Sequence, residues 1–393
     1  MDNDTTIAEI SNTRREPTYR AARAVASTIE AHFARHITAA RGRDEQELAP
    51  EPDQLAIEAI IDVTFWASLR REEGRSPKIS LAFFPHEQVP QPLIFERPLP
   101  LTPDVLTKLG PAVERPGIHL GVWRDETGEL HVWGATRKVP SFCFVLEVIE
   151  PGLLVVKHRR MDGFGKFANV AVLKGEQVKV VDEQGASLPD CPALLTALLP
   201  FTSPGSWDHK FNLLVQLAAS MRAHGHGGSL LVVPAGSEAW RQSIVHPILY
   251  SVTPSFAALG DLMRQQIDEA NENLLVAAVR KAVDTVAGLT AVDGATVIND
   301  RYEVLAFGAK IRRPEGSVPV EQMVATEPIA GDRPVVVHPA QGGGTRHLSA
   351  AQFIHDQRDA VALVASQDGR FTVFAWSPCE EMVHAHRVDT LLL

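Results

Sequence analysis

Two short runs in the last third of the chain set a carboxylate, a guanidinium and an imidazole beside glycines. The first is Asp293-Gly294-Ala295, inside LTAVDGATVIND. A lone carboxylate there could hold a divalent cation or polarise a hydroxyl, and Gly294 lets a ligand come close to the backbone. The same pair also reads as a plain turn. The second is Gly342-Gly343-Gly344-Thr345-Arg346-His347, which leads into the helical pattern LSAAQFIHDQ. Backbone N–H groups at a helix start bind anions. Arg346 adds a planar fork for phosphate oxygens and His347 a further donor. Thr345 reads either as part of that anion site or as an ordinary helix cap. Two His-x-His pairs, His224-Gly225-His226 and His384-Ala385-His386, carry metal-ligand chemistry but no clear third ligand, and read as loop or surface histidines. Lys157 to Arg160 form a basic cluster, either a solvated strand end or an anion site.

These residues must be positioned by the elements around them. A helix over about 208–224 precedes the apolar strand SLLVVP, and a longer helical region covers about 255–287. Strands follow at 291–300 and 304–311, then a Pro-rich connection over 314–341 that reads as a loop over a ligand or a surface insertion. A helix over 348–357 and strands over 359–366 and 370–376 close the pattern. Strands alternating with helices predict an α/β sheet covered on both faces.

The first half reads differently. Ala21, Val25, Ile29, Phe33 and Ile37 recur at helical spacing, and a second helix over about 54–71 presents Ile57, Ile60, Ile61, Val63, Phe65 and Trp66. Strand signals then run from 78 to 182, including a hairpin over 117–135 around Asp-Glu-Thr-Gly. The expectation is an α+β unit with an antiparallel sheet. Three segments result: a polar stretch and helix over 1–50, the α+β unit over 51–200, and the α/β unit over 205–393.

Composition narrows the classes. A net charge of −10 argues against bulk binding of a nucleic acid polymer. Cys143, Cys191 and Cys379 lie far apart, with no disulfide framework or zinc spacing, which suits a reducing compartment. No secretory h-region and no long apolar run is present, so the expectation is a cytoplasmic protein with no membrane partner.

Four landmarks stand in a fixed order: Gly228-Ser229-Leu230-Leu231-Val232, Asp293-Gly294-Ala295, Gly344-Thr345-Arg346-His347 and Ser366-Gln367-Asp368. In that order the region from about 205 to 385 resembles the diadenylate cyclase domain, which joins two ATP molecules into cyclic di-AMP. The resemblance implies a mixed sheet with helices on both faces. It implies ATP as substrate and a homo-oligomer in which two domains meet face to face. It places Mg²⁺ or Mn²⁺ on Asp293 and phosphates on Arg346 and His347, with Gly344 and Thr345 beside them. It sets Gly294, Ala295 and Ser366 around the nucleotide, and Phe307-Gly308 beside the adenine. The region before it, from RPGIHLGVW to FANVAVLKG, resembles sensor domains found N-terminal to such cyclases, which implies a small-molecule ligand of unknown identity.

Two departures bear on turnover. Leu348 stands where the family usually has arginine, and Gln367 and Asp368 stand where many members have a metal-binding glutamate. Lys310, Arg312, Arg313 and Arg333 are the cations that could replace the missing guanidinium. Two functional classes follow. One is a sensor-regulated cyclase; the other is a cyclase-like module that binds nucleotide without turnover, which Leu348 favours.

Overall fold

The computed structural model describes residues 18–41, 48–160, 167–182, 213–264 and 272–393. The start of the expected helix at 208 and Cys191 lie outside the described residues. The chain divides into two compact units, one of residues 1–156 and 173–178, the other of 157–172 and 179–393. No helix among the described residues is long and apolar enough to cross a membrane.

The first unit opens with α1 (Arg20–Arg41) and α2 (Gln54–Ser68). The residues spaced at 3.6 in α1 are buried: Ala21, Val25, Ile29, Phe33 and Ile37. Asp53 caps α2, its carboxylate accepting the Ala56 N–H at 2.8 Å. The buried face of α2 runs through Ala56, Ile57, Ile60, Ile61, Thr64 and Ala67. Val63, Phe65 and Trp66, expected on that face, are half-buried, because the helical period carries them round to its flank.

The strands that follow are β1 (Ser80–Phe83), β2 (Leu93–Pro100), β3 (His119–Arg124), β4 (Leu130–Thr136), β5 (Phe144–Glu150), β6 (Leu153–Arg159), β7 (Phe167–Lys174) and β8 (Gln177–Val180), with α3 (Pro103–Leu109) after β2; the end of β6, most of β7 and the end of β8 are counted with the second unit. The sheet order is β2-β4-β3-β1-β5-β6-β7-β8. The expectation of a purely antiparallel sheet is corrected: β1 and β3 run parallel, Leu81 opposite Leu120. The cause is the crossover through β2 and α3, which returns the chain to the same end before β3 begins. Neither β2 nor α3 was expected. Prolines break the periodicity of LIFERPLP, which an edge strand tolerates.

In the second unit come α4 (Leu213–Ala223), β9 (Gly228–Val233), β10 (Tyr250–Phe256), α5 (Ala258–Arg264), α6 (Glu272–Leu289), β11 (Ala295–Asn299), β12 (Val304–Ala309), β13 (Met323–Thr326), β14 (Val335–Val337), α7 (Thr345–Asp356), β15 (Val361–Ala365), β16 (Phe371–Ser377) and β17 (Met382–Arg387). Nine strands form one sheet in the order β10-β12-β11-β9-β15-β16-β17-β13-β14. It is mixed, since β9 pairs parallel with β11 and β13 with β17 while the other pairs are antiparallel.

Central strand β9 feeds both faces. Leu230 and Val232 join a core with Leu213, Leu217, Val279 and Val283 from α4 and α6. Leu231 and Val233 join the opposite core with Ala350, Phe353 and Ile354 from α7 and with Trp240. Each such buried Leu, Ile or Phe stabilises the fold by about 1.5–3 kcal/mol. The expected helix starting near 255 begins instead at 258, after edge strand β10. The Pro-rich connection folds into β13 and β14 at the far edge, so its middle is sheet rather than loop.

Candidate functional site

Register brings distant segments to one end of the nine-stranded sheet. Ser229 of β9 pairs with Ala295 of β11, Ala295 with Ala309 of β12, and Gly228 with Ala365 of β15. The starts of β9 and β11 therefore share an end with the finishes of β12 and β15. Gly227, Asp293, Gly294, Gly308 and Ser366 all flank that end. Helix α7 packs on β9, β15 and β16 and carries Arg346 to it. A Cβ added at Gly227 (φ +70°) would lie 2.9 Å from Arg346 Nη1, 3.1 Å from the Ala365 carbonyl and 3.3 Å from Gln367 Cγ.

Asp293 sits in the turn between α6 and β11. Its side chain is 93% exposed and its Oδ2 lies 2.5 Å from Lys310 Nζ. The hydrogen bond from Lys310, then its charge and the more distant charge of Arg346, hold the carboxyl below the usual range. It is a carboxylate at neutral pH. Gly294 has φ +120°, and a Cβ there would lie 2.4 Å from the Gly308 carbonyl carbon. Only glycine allows the two backbones to approach so closely. Gly308 has φ +60°, with the Tyr250 ring 2.8 Å from where its Cβ would be. Tyr250 stacks on Phe307 at 4.8 Å and 6°, forming a part-exposed aromatic shelf next to the Asp-Gly turn.

At the start of α7 the N-cap is Gly344, with no side-chain hydrogen bond. Thr345 is thus the first helical residue and exposed, which corrects its reading as the cap. The first-turn N–H groups have no side-chain competitor for an anion. His347, expected as an open donor, is 2% exposed. Its Nε2 meets Thr372 Oγ1 at 3.1 Å, and a Cβ at Gly343 would lie 2.4 Å from its ring. Burial lowers its pKa, so the ring is neutral and packs beneath the glycine run. Ser366 begins the turn between β15 and β16, its N–H donating to Arg370 O at 2.8 Å. In that turn Gln367 donates to His226 O at 3.3 Å, and Asp368 pairs with Arg370 at 3.3 Å.

The other expected or considered groups are used structurally. His224 meets Thr290 Oγ1 at 3.2 Å and accepts the His226 N–H at 3.1 Å. His384 meets Glu380 at 3.1 Å and His386 meets Thr326 at 2.8 Å, both fully inside rather than on the surface. His158 of the basic cluster is also buried, so the end of β6 is not simply solvated. Among the described residues no group of three or more His, Cys, Asp or Glu could hold a metal ion. Of the spare cations, Arg312 donates to Gln242 O at 3.2 Å, and Arg333 precedes β14 at the opposite edge of the sheet.

In the first unit an open groove of about 450 Å³ lies between α2 and the β3–β4 hairpin. Leu55, Ala59, Val63 and Leu101 give it an apolar wall, and Arg124 and His131 a polar one. Arg124 is tied to Asp53, the residue that caps α2. All of these residues fall within one recognised stretch. Residues 46–137 match the DACNV family model, described as a probable sensor domain. No curated protein matches the chain. The DACNV match runs from before α2 to the end of β4, and the sheet end with Asp293 and Arg346 lies outside it.

Sequence reasoning missed Tyr250 as a site residue. The only signal was an aromatic in the β-rich run LYSVTPSF, and its pairing with Phe307 is non-local.

Proposed function

We propose that the chain is a diadenylate cyclase under the control of a DACNV-type sensor. The sensor type matched by residues 46–137 is one found at the N-terminus of such cyclases. The observation that carries the reading is the meeting of four separate landmarks at one sheet end: Gly227-Gly228, Asp293-Gly294, the start of α7 with Arg346, and the Ser366 turn.

Each residue type has a task there. Arg346 and the uncapped N–H groups of α7 bind phosphate oxygens. Tyr250 and Phe307 offer a ring face on which a base can stack. Gly294 and Gly308 keep the floor free of side chains. His347 holds the glycine run in shape from below. Asp293 fits Mg²⁺ or Mn²⁺ that arrives with a triphosphate, since Mg²⁺ commonly uses one or two carboxylates plus substrate phosphates rather than an all-protein cage. When bound, that ion neutralises charge building on the leaving pyrophosphate. The 3′-hydroxyl of the ATP on a facing copy loses its proton to water as it attacks the α-phosphorus and the bond to pyrophosphate breaks; the reciprocal attack releases the second proton and the second pyrophosphate and closes the ring. The chain's contribution is positioning and charge neutralisation, the terms that dominate phosphoryl transfer.

Leu348 supports a second reading, a module that binds nucleotide without turnover. Leu348 is 39% exposed, an apolar residue where the resemblance implies a guanidinium.

The test is incubation of the full chain with ATP and Mg²⁺ or Mn²⁺, with the products resolved by mass. Cyclic di-AMP from the wild type and none from Asp293→Asn supports the cyclase. ATP binding with no product under any metal supports the second reading.

A further inference from the structure

We infer that Lys310 is a triphosphate-binding residue of this site, parked on Asp293 until nucleotide arrives. The inference rests on the nucleotide reading above and adds a residue that none of the landmark motifs contains.

The geometry has three parts. First, the root of Lys310 is fixed while its head is free. Its carbonyl accepts the Val245 N–H at 2.8 Å, and its side chain is 53% exposed with Nζ 2.5 Å from Asp293 Oδ2. Second, the pair is held weakly. Both partners face solvent, and an ion pair this exposed exchanges readily for a better partner. A divalent cation taking the Asp293 carboxylate is such a partner, and it frees the ammonium. The nearest new anion is then the triphosphate that accompanies the cation. Third, among the described residues Lys310 is the cation that forms an ion pair with Asp293. Arg346 is turned toward Gly227 and the Ala365 carbonyl, Arg312 is held by Gln242, Arg333 is at the far sheet edge, and position 348 is leucine. A lysine serves phosphate as a mobile point charge on a four-carbon stem, which suits a group that must change partners.

The experiment is equilibrium binding of a non-hydrolysable α,β-methylene ATP analogue, with Mg²⁺, to the full-length chain. Wild type is compared with Lys310→Ala, Lys310→Arg and the double variant Lys310→Ala with Leu348→Arg. Loss of one charge-assisted contact predicts affinity weaker by roughly tenfold or more in Lys310→Ala. Lys310→Arg should stay close to wild type, and the double variant should recover part of the loss. Binding by Lys310→Ala as tight as wild type, or tighter because Asp293 is released to the metal, overturns the inference and leaves Lys310 as a mere counter-ion. A wild type that does not bind the analogue overturns the nucleotide reading itself, and this inference with it. Unchanged thermal midpoints, expected because the side chain is exposed, show that the variants are folded.

Discussion

In the eight-stranded sheet the chemically capable side chains are consumed by packing. His119 is buried against Ser80 at 2.7 Å, and Trp133 donates to the Phe84 carbonyl at 2.9 Å while its ring lies where a Cβ of Gly121 would be, 1.9 Å away. At the end of the nine-stranded sheet the arrangement is reversed. Asp293 is 93% exposed, Lys310 is half exposed, and two left-handed glycines hold the floor open around them. In the recognised stretch His119 and Trp133 are thus structural, and its solvent-facing polar groups, Arg124 and His131, line the groove beside α2, whereas the Asp293–Lys310 pair stands at a sheet end outside the match. A packing signature is spread over many positions and survives in a profile. A site built from a few exposed groups leaves little trace beyond the groups themselves.

Substitutions in each sheet distinguish packed groups from free ones. The largest expected effect is on activity. Asp293→Asn should lower cyclic dinucleotide formation by roughly a hundredfold or more, with no shift in the urea midpoint; a shifted midpoint would mean that this carboxylate is structural after all. Next is Gly121→Ala, which should cost about 3 kcal/mol, because the Trp133 ring has no room to move in a packed sheet. Urea unfolding followed by tryptophan fluorescence measures it, and a loss below about 1 kcal/mol would show a core looser than described.

The pH dependence comes third. Burial, aided by the neighbouring His384, pushes His386 from 6.5 down to about 3. Its unfolded imidazole takes up a proton below pH 6.5 while the folded one stays neutral down to about pH 3. Its contribution to stability is therefore complete above pH 6.5 and falls as the pH drops, by up to about 1.4 kcal/mol per pH unit. Unfolding midpoints taken from neutral to mildly acidic buffers should fall more steeply for wild type than for His386→Phe; parallel slopes would remove His386 as the cause. The smallest effect belongs to the sensor surface. Arg124→Gln breaks an exposed pair with Asp53 and should cost under about 1 kcal/mol, since Asp53 still caps α2. A larger loss in thermal unfolding would make that pair part of the core.

Much of the second unit was legible because its central strands are continuous apolar runs. SLLVV and VALVA are buried on both faces, so their composition alone marks them. The edges were not legible. β2 and β10 carry prolines, and β14 is three valines, two of them exposed, in a Pro-rich stretch, so their pairing reflects tertiary neighbours rather than local pattern. The parallel step between β1 and β3 was hidden for the same reason, since the elements that make the crossover went unread. Within the site, Asp293 and Arg346 announce themselves by type beside glycine. Tyr250 does not, because only strand register sets it opposite Phe307, and Lys310 was one of four candidate cations until its ion pair with Asp293 singled it out. His347 was read as an open donor because sequence cannot show that Thr372, on a strand not yet formed, would take its ring.

The place of β9 between β11 and β15 has a consequence for the growing chain. On a ribosome β9 emerges first, and its partner Val361–Ala365 emerges last of the three. Until then one flank of GSLLVV is an unpaired apolar edge, the kind that other chains adopt as a template. The Ala365 carbonyl beside Gly227 is also missing, so a prematurely ended polypeptide would have an incomplete sheet end and be adhesive. Shielding of the nascent chain by a holdase would matter most in the interval between the synthesis of these two strands.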